Sequence, residues 1–167
     1  MKYFVIMIDL KNSKKMNSET RLIVQDKFID IVEGTANKLF STELVTNLCF
    51  SAGDSIQGVF HDFTEAVKCY RVIKALMYPY EIRCGIGFGK IIGVDRYYDT
   101  NKLDGEAFHN ASKAIKYCKE NNLDICFVSN NDENEDALIT NALNMASNDD
   151  KYSLADVYIN KLMKREE

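Results

Sequence analysis

The segment of residues 3–10 constrains the fold most, because it is apolar throughout except for one aspartate, Asp9. A nearly continuous apolar run of this length is typical of a central strand that is covered on both faces. The run is too short to cross a membrane and has no small-residue cleavage site, so it indicates neither a membrane span nor a signal peptide. Asp9 is therefore expected at the open end of a buried strand.

Apolar periodicity and turn residues divide the rest of the chain into alternating strands and helices. Helical spacing predicts three amphipathic helices, over residues 18–39, 61–76 and 105–119. Short runs of β-forming residues predict four further strands, over residues 43–50, 55–60, 80–94 and 124–129. The tail, acidic at its start, adds two helical stretches, over residues 136–146 and 153–164.

This order of elements predicts an α+β fold. It contains a ferredoxin-like βαββαβ core, whose first two helices cover one face of the sheet, followed by an added αβ unit and C-terminal helices. A length of 167 residues suits one domain. We expect residues 1–129 to form this domain and residues 130–167 to form a helical tail that packs on it.

The net charge and the cysteine spacing restrict the kinds of binding partner that the sequence predicts. The net charge is −4 and the basic residues are dispersed, whereas nucleic-acid-binding proteins usually present a basic face. None of the five cysteines follows a metal-binding spacing, which favours reduced thiols in a cytoplasmic protein. We expect neither a DNA partner nor a membrane partner.

Asp9 and Asp54 form the strongest candidate site. The pair Gly53-Asp54 lies between two predicted strands and suits a two-residue hairpin turn. In a βαββ unit this hairpin neighbours the first strand, so the two carboxylates are expected at one end of the sheet. Adjacent carboxylates repel each other unless a cation lies between them, and Mg²⁺ prefers one or two of them plus water and phosphate oxygens. The alternative is that Asp9 caps a loop and Asp54 only suits a turn.

Further polar residues lie where a nucleotide would be expected. Asn12 and Ser13 follow the first strand, where phosphates would lie if the loop opens a helix. Gln57 lies three residues past Asp54, and the sequence leaves open whether its side chain faces the inside or the outside of the sheet. His109 and Lys113 share one helix face and are suited to address a phosphate or a ribose. The alternative for that pair is a solvated polar face.

Three alternating glycines, Gly85, Gly87 and Gly89, lie on one face of a predicted strand. A face without side chains allows close approach of a nucleotide or of another backbone. The following helix is rich in alanine, so helix packing is the favoured interpretation.

Four segments in order, IDLKNS (8–13), SAGDSIQG (51–58), IRCGIGFGKI (82–91) and DGEAFHNASKAI (104–115), resemble the SatD family. This is a group of bacterial proteins related to the catalytic domain of class III nucleotidyl cyclases. The resemblance covers residues 3–119 and implies a fold of nucleotidyl-cyclase type. It also implies a Mg²⁺ or Mn²⁺ cofactor and a nucleoside triphosphate or other nucleotide as ligand.

The resemblance assigns roles to individual residues. Asp9 matches the first metal-binding aspartate, joined by the backbone carbonyl of Leu10, and Asp54 matches the second. Asn12, Ser13, Gly53 and Gln57 are implied around the nucleotide.

His109 and Lys113 mark a departure from the cyclase pattern. His109 stands where cyclases have the asparagine that orients the ribose. Lys113 stands where they have the arginine that steadies the transition-state phosphate. Lysine keeps the charge but loses the bidentate fork. In cyclases these two residues come from a partner subunit, so a homodimer is implied.

Three hypotheses follow from the sequence. The first is a metal-dependent domain that acts on a nucleoside triphosphate by phosphoryl or nucleotidyl transfer. The second is a module that senses a nucleotide or a protein partner without turnover. The third is a structural interaction domain in which the aspartate pair is incidental.

Overall fold

The computed structural model describes residues 1–51 and 54–149, within which strands and helices alternate. The strands are β1 (Lys2–Leu10), β2 (Leu44–Phe50), β3 (Ser55–Phe60), β4 (Ile82–Lys90) and β5 (Ile125–Val128). The helices are α1 (Ser18–Ile31), α2 (Asn37–Leu39), α3 (Phe63–Met77), α4 (Glu106–Asn121) and α5 (Glu133–Asp149).

The strands form one sheet with the order β2-β3-β1-β4-β5. The pairs β2–β3, β3–β1 and β1–β4 are antiparallel, so β1 lies between β3 and β4. The strand β5 pairs in parallel with β4, and α4 connects the two. The predicted ferredoxin-like βαββαβ core with an added αβ unit is confirmed.

The alternating side chains of β1 serve two separate cores. Ile6 and Ile8 pack with α1 and α3 in the larger cluster, which includes the fully buried Phe28. Val5 faces the opposite side and packs with Ala111 of α4. Because successive side chains of a strand point to opposite faces, β1 is covered on both sides. The first two predicted helices therefore share one face, and α4 lies on the other.

The glycine strand lies directly against α4. An added Cβ at Gly85 would come within 2.6 Å of the carbonyl oxygen of Ala111, and one at Gly87 would meet the backbone of the same helix. The backbones of β4 and α4 therefore approach more closely than a side chain allows. Helix packing is confirmed as the reason for Gly85 and Gly87, whereas a Cβ at Gly89 would meet the side chain of Glu106, the first residue of α4.

Several boundaries differ from the predicted ones. The first predicted helix is α1, a π-helical turn (Val32–Ala36) and the single turn α2. The fourth strand ends at Lys90, because the chain leaves the sheet through Gly93, whose φ of 96° suits a turn. In the tail, α5 packs Ile139 and Leu143 against the larger core. The second tail helix, over residues 153–164, lies outside the described residues.

Candidate functional site

Asp9 lies near the carboxyl end of β1, and its side chain faces α4. In the sheet it stands between Ser55 of β3 and Arg83 of β4. Lys119, near the end of α4, places its Nζ 2.7 Å from Asp9 Oδ2, and Arg83 Nε lies 3.9 Å from Asp9 Oδ1. Asp9 is 9% exposed, so its carboxylate is buried beside two cations.

The second oxygen of this carboxylate, Oδ1, accepts no hydrogen bond from the described residues. In the described part of the chain, Asp9 Oδ1 and Arg83 Nε are buried and have no hydrogen-bond partner. Their separation of 3.9 Å is too long for a hydrogen bond. A buried polar atom left unsatisfied costs about 1–3 kcal/mol. Asp9 therefore has an acceptor oxygen that a cation or a further donor would satisfy.

Asp54 lies in a bend directly before β3, next to Ser55, which is the sheet neighbour of Asp9. Strand spacing and rise place the Cα atoms of the two aspartates about 6 Å apart. Asp54 Oδ1 accepts a hydrogen bond from Nε2 of Gln25 on α1. Lys119 and Gln25 belong to helices on opposite faces of the sheet. The backbones of the aspartates therefore come together, while their carboxylates turn toward different helices.

A divalent cation at this end of the sheet would have few protein ligands. Over residues 1–51 and 54–149, no group of three or more His, Cys, Asp or Glu side chains converges on one point. A cation would depend on Asp9, Asp54, the backbone carbonyl of Leu10 and ligand or water oxygens, which is a set that Mg²⁺ accepts. The donor types and the backbone placement fit, once both carboxylates exchange their present partners for the cation.

The loop after β1 places the first two predicted nucleotide ligands beside this end of the sheet. Asn12 adopts the left-handed conformation with φ of 58°, and Ser13 starts a single 3₁₀ turn. Arg21 Nε, on α1, donates to the backbone oxygen of Ser13 at 3.0 Å. The loop is thus fixed to the helix that follows it.

Gln57 lies on the same face of the sheet as Asp9, two residues along β3 from Ser55. Its Nε2 donates to Asn101 Oδ1 at 2.8 Å, and Asn101 in turn donates to the backbone oxygen of Phe50. Gln57 is therefore held by the loop that precedes α4. Gly53 lies outside the described residues.

His109 and Lys113 both lie on the exposed face of α4. His109 Nε2 lies 3.4 Å from Asp104 Oδ1, and both side chains are at least 70% exposed. Along a helix with a rise of 1.5 Å per residue, His109 is about 15 Å and Lys113 about 9 Å from Lys119. Within one chain the structure separates this pair from Asp9.

A model of the SatD family matches residues 3–161, nearly the whole chain. The chain belongs to the SatD family. The resemblance of the four sequence segments is thereby confirmed. No curated protein matches this SatD-family chain.

Solved structures show which fold this SatD protein shares. The GGEEF domain of a diguanylate cyclase from Vibrio cholerae has a TM-score of 0.55 at 13% identity, covering 80% of this chain and 85% of that one. The GGDEF domain of DgcB from Caulobacter crescentus, in complex with c-di-GMP, has a TM-score of 0.55 at 10% identity and 77% coverage of both chains. At these low identities the structural similarity shows a shared cyclase-type fold.

A bacterial light-regulated adenylyl cyclase has a TM-score of 0.52 at 12% identity, covering 76% of this chain. The SatD chain spans 43% of that protein's length. Over the residues that the structure describes, none of the helices of the SatD protein is both long enough and apolar enough to cross a membrane.

Sequence reasoning about the SatD protein missed the partners of its aspartates. Lys119 and Gln25 lie far from Asp9 and Asp54 in the chain, and no spacing rule connects them. A second ion-pair cluster was also missed, in which Lys11 and Lys74 both contact Asp124 at the start of β5. Burial raises the pKa of Asp124, but the hydrogen bond from Lys11 and the charges of both lysines outweigh it and hold the pKa below its ordinary value.

Proposed function

We propose that this SatD-family protein binds a nucleoside triphosphate together with Mg²⁺ or Mn²⁺ at the sheet end that carries Asp9 and Asp54. The observation that carries this proposal is the buried Asp9 carboxylate, whose Oδ1 is unpartnered and whose strand neighbour directly follows Asp54. The charges of Asp9, Asp54, Arg83 and Lys119 cancel. A divalent cation therefore makes this end of the sheet positive, which suits a polyphosphate.

The loop after β1 is the proposed phosphate-binding segment. Asn12 and Ser13 follow Asp9 by three and four residues, in the loop that leads to α1 at Ser18. The Asn17 side chain already caps the start of α1, so the proposed phosphate contacts are Asn12 and Ser13 themselves. Gln57 and Gly53, on the β2–β3 side, are proposed nucleotide contacts. The attachment of Ser13 to Arg21 supports a loop of defined shape.

A second copy of the chain completes the proposed site. His109 and Lys113 are exposed on α4 and lie too far along the helix to reach the Asp9 of their own chain. In a homodimer the partner presents them to the nucleotide. Lys113 then neutralises phosphate charge as a point cation, and His109 addresses the ribose.

Phosphoryl or nucleotidyl transfer is the first activity to test. A bound divalent metal ion stabilises charge on phosphate oxygens, while the chain's own residues bind and orient the nucleotide. Nucleotide sensing without turnover is the second candidate. Two observations favour it: a lysine occupies the cyclase arginine position at Lys113, and Lys119 already neutralises Asp9.

The experiment measures binding and product separately. Purified protein is titrated with each of the four ribonucleoside triphosphates by calorimetry, with and without Mn²⁺, and the same mixtures are analysed for products. Asp9→Asn and Asp54→Asn test the site. Asp95→Asn, at an exposed position in the loop after β4, is the matched control.

Each outcome decides between the candidates. Product that disappears in both site variants but persists in Asp95→Asn supports transfer. Metal-dependent binding without product, lost in the same two variants, supports sensing. If no triphosphate binds at millimolar concentration, the proposal is wrong in both forms.

A further inference from the structure

We infer that Lys119 is an internal counter-cation for Asp9, which a divalent metal ion displaces when it binds to that carboxylate. The inference rests on the proposed metal site and assigns a positioning role to a residue that the family resemblance leaves without one. Its basis is the 2.7 Å contact between Lys119 Nζ and Asp9 Oδ2. A metal ion bound to either oxygen of this carboxylate would lie beside the ammonium group, and the two positive charges would repel each other.

The exposure of the two partners indicates which of them moves. The Asp9 side chain is 13% exposed and belongs to a central strand, whereas the Lys119 side chain is 51% exposed. Lysine has a flexible four-carbon stem and a strongly hydrated ammonium group. Lys119 therefore has solvent into which to withdraw, while Asp9 stays in place.

Gln25 holds the second carboxylate in a corresponding way. Its amide donates to Asp54 from α1, on the opposite face of the sheet from α4. Lys119 and Gln25 contact the two carboxylates on opposite sides of the sheet, although the backbones of Asp9 and Asp54 are neighbours. Metal binding then requires Asp9 and Asp54 to exchange Lys119 and Gln25 for the metal ion, because their carboxylates do not already form a metal site.

Arg83 provides a second positive charge near Asp9 when Lys119 is displaced or mutated. Its Nε lies 3.9 Å from Asp9 Oδ1, so removal of the lysine does not leave Asp9 without a nearby cation. A variant at Lys119 is therefore expected to fold. Since loss of structure does not tighten metal binding, a gain of affinity distinguishes this role from that of an ordinary stabilising ion pair.

The test compares Lys119→Met with Lys116→Met. Lys116 lies on the same helix and pairs with Glu120 at 3.9 Å, with both side chains exposed, so the two variants lose the same charge from one element. Mn²⁺ binding to nucleotide-free protein is measured by electron paramagnetic resonance. A half-exposed ion pair contributes about 1 kcal/mol, so Lys119→Met is expected to lower the Kd about fivefold. Lys116→Met is expected to leave it near the wild-type value.

A second measurement uses the wild-type protein and so does not depend on a variant. Amine acylation is followed by mass spectrometry with and without saturating Mg²⁺. Displacement predicts faster acylation of Lys119 when the metal is bound, with no change at Lys116.

The outcomes separate this inference from the proposed function. If wild-type protein binds Mn²⁺ and Lys119→Met binds it no more tightly than Lys116→Met, the inference is overturned and the metal site stands. Unchanged acylation of Lys119 on metal binding also overturns it. If neither the wild type nor Lys119→Met binds Mn²⁺, the metal site itself is wrong, and the inference falls with it.

Discussion

The contact between β4 and α4 yields a stability prediction for Gly85→Ala. An ideal Cβ at Gly85 would lie 2.5 Å from the backbone nitrogen of Ile115 and 2.6 Å from the carbonyl oxygen of Ala111. Ordinary contact begins at 3.4 Å, so α4 would have to retreat by about 0.9 Å. The obstacle is helix backbone rather than the flexible end of a side chain, so no rotamer change relieves it.

The expected loss of stability depends on the packing contacts that weaken when α4 moves away from β4. A gap of 0.5–1 Å forfeits about a quarter to a half of the dispersion energy of each affected contact. Over-packed cores lose about 1–3 kcal/mol. Because the clash is with backbone, we expect Gly85→Ala to lose about 3 kcal/mol, the upper end of that range. For a protein of this size that lowers the Tm by about 6–12 °C.

The assay is thermal and urea unfolding followed by circular dichroism, with Gly34→Ala as the matched control. Gly34 lies in the π-helical turn Val32–Ala36, and nothing lies within 4 Å of the Cβ that alanine would add. Alanine is more stable than glycine in a helix by about 0.5–1 kcal/mol. The same substitution should therefore stabilise at residue 34 and destabilise at residue 85. A Gly85→Ala protein as stable as the wild type would refute the packing argument.

Two further predictions concern polar contacts. Burial raises the pKa of Asp124, but Lys11 and Lys74 outweigh burial and lower it. The ionised carboxylate therefore stabilises the fold above the unfolded pKa of about 3.9. This contribution is lost as the pH falls below that value toward the folded pKa. Asp124→Asn should therefore flatten the dependence of Tm on pH below about pH 4, and an unchanged profile would contradict this. Asn37 donates from Nδ2 to the Leu48 oxygen at 2.9 Å and accepts from the Leu48 N–H at 2.7 Å. Asn37→Ala should lower the free energy of unfolding by about 2 kcal/mol in urea titrations. Asn37→Asp keeps the acceptor but sets a carboxylate oxygen against the Leu48 carbonyl oxygen, so it should be destabilised as well, and a wild-type midpoint in either variant would contradict this.

The fold was largely predictable because its strongest signals are local. The apolar run that became β1 needed only its composition to be assigned as a central strand. The glycines of β4 and the alanines of α4 each indicate close packing, and together they identify each other as partners. The boundaries were less accurate where tertiary contacts decide them. The strand β4, for example, ends where the chain turns at Gly93 toward the bridge between Ile92 and Asp104.

The side-chain partners at the site were not predictable for a physical reason. Lys119 lies 110 residues from Asp9 in the chain, and its contact depends on the rotation and height of α4 above the sheet. Gln25 reaches Asp54 through a similar choice of helix face on α1. Hydrophobic periodicity fixes which face of a helix is buried, but it does not fix which polar residue at the margin of that face meets a given strand end.

The position of α4 connects the packing of the sheet to the state of the candidate site. Gly85 allows the helix to rest on the backbone of β4, and Lys119 follows Ile115, the residue at that contact, by one helical turn. The distance from Lys119 to Asp9 is therefore set by the same close approach that the glycine permits. His109 and Lys113 lie toward the other end of the same helix and face solvent. One helix thus places a cation beside its own Asp9 and leaves the other two residues exposed, as the proposed homodimeric site requires.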